Sequence, residues 1–313
     1  MQKKSIVITG LFLSFISINS LACTSIGFAG KAVQGGGTIV AKNRDSSLTG
    51  YERLQLFKPK GKHSYIALTY TRGLNDNYDY ITSGTNDAGL SIMANDAATN
   101  LLKNEDHIET TTIKKILTRY KTVDQVMAKA KTLFANSKPA IYLISDAHQV
   151  ANVQVGDKAQ FAIKVTDNSY TWNTNAYYSG NLVAQNRLQW PDIKPRSDKI
   201  KQLLKQQSYP ITANQTLTIL GNQDDGQFDG IQRMFTTAKY LIVEQTNQAP
   251  HLIVQFTIPT QKFDRYDIVL NKQFFNRPAG VVPTSVYGLL GSQNKARIDQ
   301  FLAKIKARHD NNK

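Results

Sequence analysis

The chain has 313 residues, 41% apolar and 9% aromatic, enough for a sizeable core in one large domain or two small ones. Its single cysteine, Cys23, excludes an intramolecular disulfide framework. The formal charge of +15 implies a solvated basic surface, with anionic substrates or loose association with an anionic envelope surface as further uses. Nucleic acid is not an expected partner, because the basic residues are spread out and no finger, RNP-type or helix-turn-helix signature accompanies them.

Residues 1–22 read as a secretory signal. Lys3 and Lys4 precede an apolar stretch from Ile6 to about Ile18, and Ser20-Leu21-Ala22 places small residues at −3 and −1 of a cleavage site. No later apolar run is long enough to span a membrane, so a secreted or periplasmic protein is expected. Cleavage after Ala22 puts a thiol and a free α-amine on one residue, Cys23. Such an amine titrates near pH ~8 and can accept the thiol proton. Two other readings of Cys23 stand beside this one. It can be a small buried hydrophobe, or the lipidated cysteine of a bacterial lipoprotein, although that pattern wants Leu, Val or Ile at −3, where Ser20 stands.

From Cys23 to about Ala94, strand signals dominate. Cys23-Thr-Ser-Ile-Gly-Phe-Ala and Thr38-Ile-Val-Ala-Lys, joined through Gly35-Gly-Gly, predict a hairpin. Leu54–Phe57, Tyr65–Tyr70 and Leu90–Ala94 continue as strands, with a polar loop at Asn75–Asp79. Ile113, Ile116 and Leu117, then Val123, Val126, Met127 and Ala130, recur at helical spacing and predict two helices. Strands are expected at 140–145, 150–155, 161–165, 252–258 and 266–270. Helices are expected from Ser197 to Gln206, from Thr212 to Leu220 and over 232–244. From Gln293 an amphipathic basic helix is expected, docked on the domain. Strands before, between and after helices make a single α+β domain.

Familiar catalytic schemes are missing: there is no Gly-x-Ser-x-Gly elbow and no Walker loop, and the five histidines (63, 107, 148, 251 and 309) lack metal-ligand spacing. What remains is Cys23 followed by polar residues in strand-and-turn contexts. Asp45 ends Lys42-Asn43-Arg44-Asp45. Asn86 lies in Gly84-Thr-Asn-Asp-Ala-Gly-Leu90, Asn175 in Thr174-Asn-Ala-Tyr177, and Arg233 in Gln232-Arg-Met-Phe235. Each alone also reads as a turn or surface residue.

In this order, after a would-be N-terminal Cys, the segments resemble the N-terminal nucleophile hydrolases of the choloylglycine hydrolase, penicillin V acylase and acid ceramidase type. The resemblance runs from Cys23 to about Leu270. It implies an αββα sandwich with a catalytic domain over 23–275 and a C-terminal extension over 276–313. It also implies roles. Cys23 attacks an amide carbonyl, with its own α-amine as base, and Asp45 holds that amine. The backbone N–H of Asn86 and the side-chain amide of Asn175 form the oxyanion hole, and Arg233 supports the charges near the thiolate. Lys42 stands where bile-salt and penicillin members usually carry Arg, and Arg44 shares its strand face.

The implied activity is hydrolysis of a linear C–N amide bond in a small N-acyl substrate through an acyl-thioester, without a cofactor. Substrates of this kind include bile-salt conjugates, penicillin V, acyl-homoserine lactones, acyl amino acids and fatty amides; acyl transfer to another amine would use the same site. The rival reading is a non-catalytic envelope-binding lipoprotein.

Overall fold

The computed structural model describes residues 23–45, 51–71, 80–97, 110–186, 193–225, 230–233, 236–256, 264–282 and 287–288. The expected signal segment, the Asn75–Asp79 loop and the helix after Gln293 lie outside them. The described strands form two antiparallel sheets. The first has six strands, in the order β10 (Tyr170–Asn173), β1 (Thr24–Ala29), β2 (Thr38–Asp45), β11 (Thr236–Glu244), β12 (His251–Phe256) and β13 (Asp264–Val269). The second runs β3 (Tyr51–Phe57), β4 (Tyr65–Thr71), β5 (Tyr80–Asn86), β6 (Ser91–Asp96), β7 (Ala140–Ser145), β8 (Val150–Val155) and β9 (Phe161–Thr166). The short strands β14 (Gly280–Val281) and β15 (Tyr287–Gly288) both pair with β3, so the extension past residue 275 completes that sheet's edge.

Alternation along β2 explains the layering. Every residue of Thr38–Asp45 is buried. Val40 enters the core between the sheets, with Leu54, Leu68, Met93, Leu143 and Val254. Ile39 and Ala41 point the other way, onto Ile200, Leu204 and Leu220. Those residues belong to helices α4 (Ile193–Gln206) and α5 (Ala213–Leu220), which cover the outer face of the six-stranded sheet. The outer face of the second sheet is covered by α1 (Thr110–Arg119), α2 (Val123–Met127) and α3 (Ala130–Phe134), whose Ile113, Ile116, Leu117 and Val126 pack on Ile81, Ile92 and Tyr142. The result is the expected four-layer arrangement. The central strands, such as β1, β2 and β5 to β8, are buried on both faces because a layer lies on each side, while the edge strand β9 is largely exposed.

The β1–β2 hairpin turns where expected. Gly35, Gly36 and Gly37 have φ of 80°, 76° and 81°, and a Cβ on Gly37 would meet the Glu244 carbonyl at 2.1 Å. Thr212 caps α5 in a reciprocal box with Gln215.

Three expectations are corrected. The region 110–135 forms three short helices rather than two. α4 starts at Ile193, and Ser197 is no cap: its hydroxyl donates back to the Ile193 carbonyl at 2.6 Å inside the helix. Residues 236–244 are not helical but form β11, the neighbour of β2. Ala238, Tyr240 and Ile242 fill the space between the sheets, while Leu241 faces the α4–α5 layer. A strand apolar on both faces loses its period-2 signature, and a short apolar run then reads equally well as buried helix.

Candidate active site

Cys23 immediately precedes β1 and is 2% exposed. Thr24 pairs with Asn43 and Ser25 with Lys42. Extended one step, this register sets Cys23 opposite Arg44 and the bond before Cys23 opposite Asp45. Strand alternation then sorts the neighbours of Cys23 onto two faces.

Between the sheets lie Lys42 and Arg44, both fully buried and both in electrostatic contact with Cys23. The Lys42 ammonium donates to the carbonyl of Ala94 and, at 3.5 Å, to that of Thr82, which ties it to the opposite sheet. Burial pushes the Lys42 ammonium below its ordinary value, and Cys23 pulls it back up. Arg44 Nε stands 3.3 Å from Glu52 Oε1, and its guanidinium lies 4.8 Å from the centre of the Tyr70 ring. Burial pushes the Glu52 carboxyl up, against the pull of Arg44.

On the helix side of the same strand lie Asn43 and Asp45. Asp45 Oδ1 accepts from the Thr236 hydroxyl at 2.6 Å, and its Oδ2 is 3.7 Å from Arg233 Nη1. Asn43 Nδ2 donates to the carbonyls of Leu220 and Ile231 at 2.8 and 2.9 Å, which fixes the segment that carries Arg233 against the end of α5. Arg233 is expected near the thiolate; the structure sets it beside Asp45 instead, on the helix side of β2 at the strand end where Cys23 lies.

Asn175 follows β10, the other neighbour of β1. Its Nδ2 donates to the Asp96 carbonyl at 2.8 Å, and its Oδ1 accepts from Arg196 Nη2 at 3.1 Å. Because a guanidinium only donates, the Oδ1 end of this amide must face Arg196 and the Nδ2 end must face away.

Asn86 belongs elsewhere, which corrects its expected role. It ends β5 opposite Tyr65, at the far end of that strand from Tyr80 and Tyr70. Its backbone N–H donates to the Leu90 carbonyl at 3.0 Å. Its Nδ2 caps α1 through the carbonyls of Leu117 and Tyr120 at 2.9 and 2.8 Å, and its Oδ1 accepts from the N–H groups of Ala88 and Leu90. Asn86 closes a turn and a helix end, and its backbone donor is already used.

Two residues at the site escape the sequence reading. Arg196 is fully buried; its Nη1 donates to the carbonyl of Cys23 and to Thr24 Oγ1, both at 3.1 Å, while Nη2 holds Asn175. Its signal lies in the helical period, since Ile193, Arg196, Ile200 and Leu204 share the apolar stripe of α4, and a charge in such a stripe needs a reason. Asn95, near the end of β6, donates from Nδ2 to Ser25 Oγ at 3.0 Å and to the Thr174 carbonyl at 3.3 Å. An Asn inside a buried strand is the corresponding signal.

Among the described residues no group of three or more His, Cys, Asp or Glu is placed to hold a metal ion, and no helix is long and apolar enough to cross a membrane.

Four buried layers around a strand that opens with a cysteine define an N-terminal nucleophile fold. Within that class, residues 33–239 match the family model of acyl-coenzyme A:6-aminopenicillanic acid acyl-transferase, and the chain belongs to this family, of the choloylglycine hydrolase and penicillin V acylase type. The matched stretch includes Lys42, Asp45, Asn175, Arg196 and Arg233 and begins beyond Cys23. The fold is similar to that of a cysteine-to-alanine mutant of conjugated bile acid hydrolase from Clostridium perfringens, with a TM-score of 0.52 and 11% identity over 83% of this chain and 97% of that one. No curated protein matches the chain in sequence.

Proposed function

We propose that the protein is a secreted amidohydrolase that cleaves a linear C–N bond in a small N-acyl substrate through an acyl-thioester on Cys23. The observation that carries this reading is the setting of Cys23. Its side-chain face carries two buried cations, and its carbonyl is gripped by Arg196, which also orients Asn175.

Cations beside a thiol favour the thiolate, which is the nucleophile. Once the segment before Cys23 is removed, the freed α-amine lies toward Asp45, which is anchored by Thr236 and Arg233 and can orient it. The amine accepts the thiol proton, the sulfur attacks the amide carbonyl, and the same proton passes to the leaving amine. Asn175 Nδ2, which spends one of its two hydrogens on the Asp96 carbonyl, is the pre-oriented donor for the oxyanion. Water then releases the acid, or a second amine takes the acyl group. The family model's acyl transfer to 6-aminopenicillanic acid and the similar fold of a conjugated bile acid hydrolase support a small N-acyl amide as substrate, bile-salt conjugates among them.

The test is a panel of such N-acyl amides with purified protein that begins at Cys23. Amine release together with a mass increase equal to the acyl group on Cys23 is the expected result. A chain blocked from cleavage by Ala22→Pro should be inactive, because the base is then a peptide nitrogen. Full turnover by that uncleaved chain, or a Cys23 found carrying an S-diacylglyceryl lipid in the exporting cell, would overturn the reading.

A further inference from the structure

Behind the nucleophile strand the two sheets enclose a cluster of amides. Asn152 of β8 reaches across to β10, and its Nδ2 donates to Thr171 Oγ1 at 2.8 Å, Asn173 Oδ1 at 3.0 Å and the Trp172 carbonyl at 3.3 Å. Asn173 pairs in register with Ser25, whose hydroxyl accepts from Asn95. Ser25 lies two residues from Cys23 on the same strand face, about 7 Å away by strand rise. Three polar atoms of this cluster have no partner among the described residues: Asn95 Oδ1, Asn152 Oδ1 and Asn173 Nδ2. Their residues are only 1%, 6% and 0% exposed. Flipping Asn152 alone would set its oxygen against that of Asn173. Flipping both changes which atoms are left over but not how many.

An unmatched buried polar atom costs about 1–3 kcal/mol, and a bridging water with two to four partners removes that cost. Here two acceptors and one donor sit on linked residues: Asn95 bonds Ser25, Ser25 pairs with Asn173, and Asn173 bonds Asn152. We infer that Asn95, Asn152 and Asn173 form an internal water site behind Cys23, and that this site supplies the water that hydrolyses the acyl-thioester. The inference rests on the amidohydrolase reading above. Its step is the attack of water oxygen on the thioester carbonyl. The carbon–sulfur bond breaks, the acyl group leaves as a carboxylic acid, and the displaced thiolate takes the water's proton by way of the α-amine. Asn152 contacts neither Cys23 nor Asn175 nor Arg196 in the described hydrogen bonds, so its removal should affect the second half-reaction and spare the first.

The experiment follows amine release and intact mass for the mature protein and two variants. Asn152→Leu fills the site with an apolar side chain of similar size. It should keep the initial burst of amine but lower the steady rate about tenfold, with acyl-Cys23 accumulating. Hydroxylamine added from solvent should restore its turnover. Asn152→Ser leaves room for a water and should accumulate less acyl-Cys23 than Asn152→Leu. An unchanged steady rate in Asn152→Leu overturns the inference. So does a parallel fall of burst and steady rate in both variants without rescue by hydroxylamine. A wild type that forms no acyl-enzyme would instead overturn the amidohydrolase reading. The water site is then judged by a high-resolution crystal structure of the mature protein, where a dry amide cluster refutes it.

Discussion

Two polar clusters are buried at opposite ends of the same inter-sheet layer, and they handle charge differently. At the end where β1 begins, Lys42, Arg44 and Glu52 surround the approach to Cys23. At the other end Glu244 accepts from Ser91 Oγ at 2.5 Å, and Ser91, Thr85 and Tyr240 continue a chain of hydroxyls at 2.8 and 2.9 Å. Burial pushes Glu244 well above its ordinary value, Asp146 adds to this, and only hydroxyl donors stand against it. Burial thus favours the protonated form of this carboxyl, and no cation of the cluster opposes it. Charge in a low-dielectric layer is costly to maintain. At the Cys23 end opposite charges face each other instead: Lys42 and Arg44 stand among Glu52, Asp96 and Cys23, which offsets part of the cost of burying them. The difference locates chemistry at one end and architecture at the other.

Breaking the Cys23 end should have the largest effect. Cys23→Ala should abolish turnover, and Cys23→Ser should lose most of it because a hydroxyl ionises far less readily; both should melt like the wild type, and normal turnover by the alanine variant would place the nucleophile elsewhere. Next comes the pair of asparagines that the sequence reading places together in the oxyanion hole. Asn175→Ala removes an oriented donor and should lower kcat by roughly 10²–10³ with little change in KM. Asn86→Ala should leave kcat nearly unchanged but cost about 1–3 kcal/mol in urea unfolding, since it strips the caps from α1 and from its own turn. Equal effects on kcat would mean that the oxyanion donors are misplaced. Lys42→Met should come third. It removes one of two cations and strands the Ala94 and Thr82 carbonyls, so kcat/KM should fall about tenfold. The rate of Cys23 alkylation by iodoacetamide should fall in parallel. An unchanged alkylation rate would assign Lys42 to sheet-to-sheet bonding alone.

Much of this is legible in the sequence where a local pattern has a single physical meaning. The hairpin through Gly35–Gly37, the capping box at Thr212 and the alternating Lys42 and Arg44 of β2 need no tertiary information. β11 reads wrongly as helix because a central strand between two layers is apolar on both faces. Asn86 misleads because Asn-Asp-Ala-Gly describes a turn, and what that turn faces depends on how β5 crosses the sheet. Arg196 and Asn95 lie far in sequence from the residues they hold. Only the packing of α4 and β6 against β1 brings them to Cys23, although each breaks a local rule for its element. Asp45 and Arg233 carry separate roles in the sequence reading, and only the structure pairs them: β11 and β2 are neighbours, and Thr236 bonds to Asp45 and to the Arg233 backbone.

The smallest effect should come from the far end, and its sign depends on pH. Glu244 has a folded-state pKa raised above its ordinary 4.5. Well below its ordinary value of 4.5 the carboxyl is protonated in folded and unfolded chains alike and its ionisation costs nothing. As pH rises above that value the unfolded chain ionises freely while the folded chain resists, so this residue's contribution to stability falls until the folded-state pKa is passed. Glu244→Gln cannot ionise, and its amide oxygen can still accept from Ser91. Its stability relative to wild type should therefore be lowest near pH ~4.5 and increase steadily toward pH ~7.5, with kcat unchanged at both. Urea unfolding of the two proteins across that range provides the measurement. A difference that shrinks with rising pH would mean that Glu244 is held as a carboxylate, and the contrast between the two ends of the layer would no longer hold.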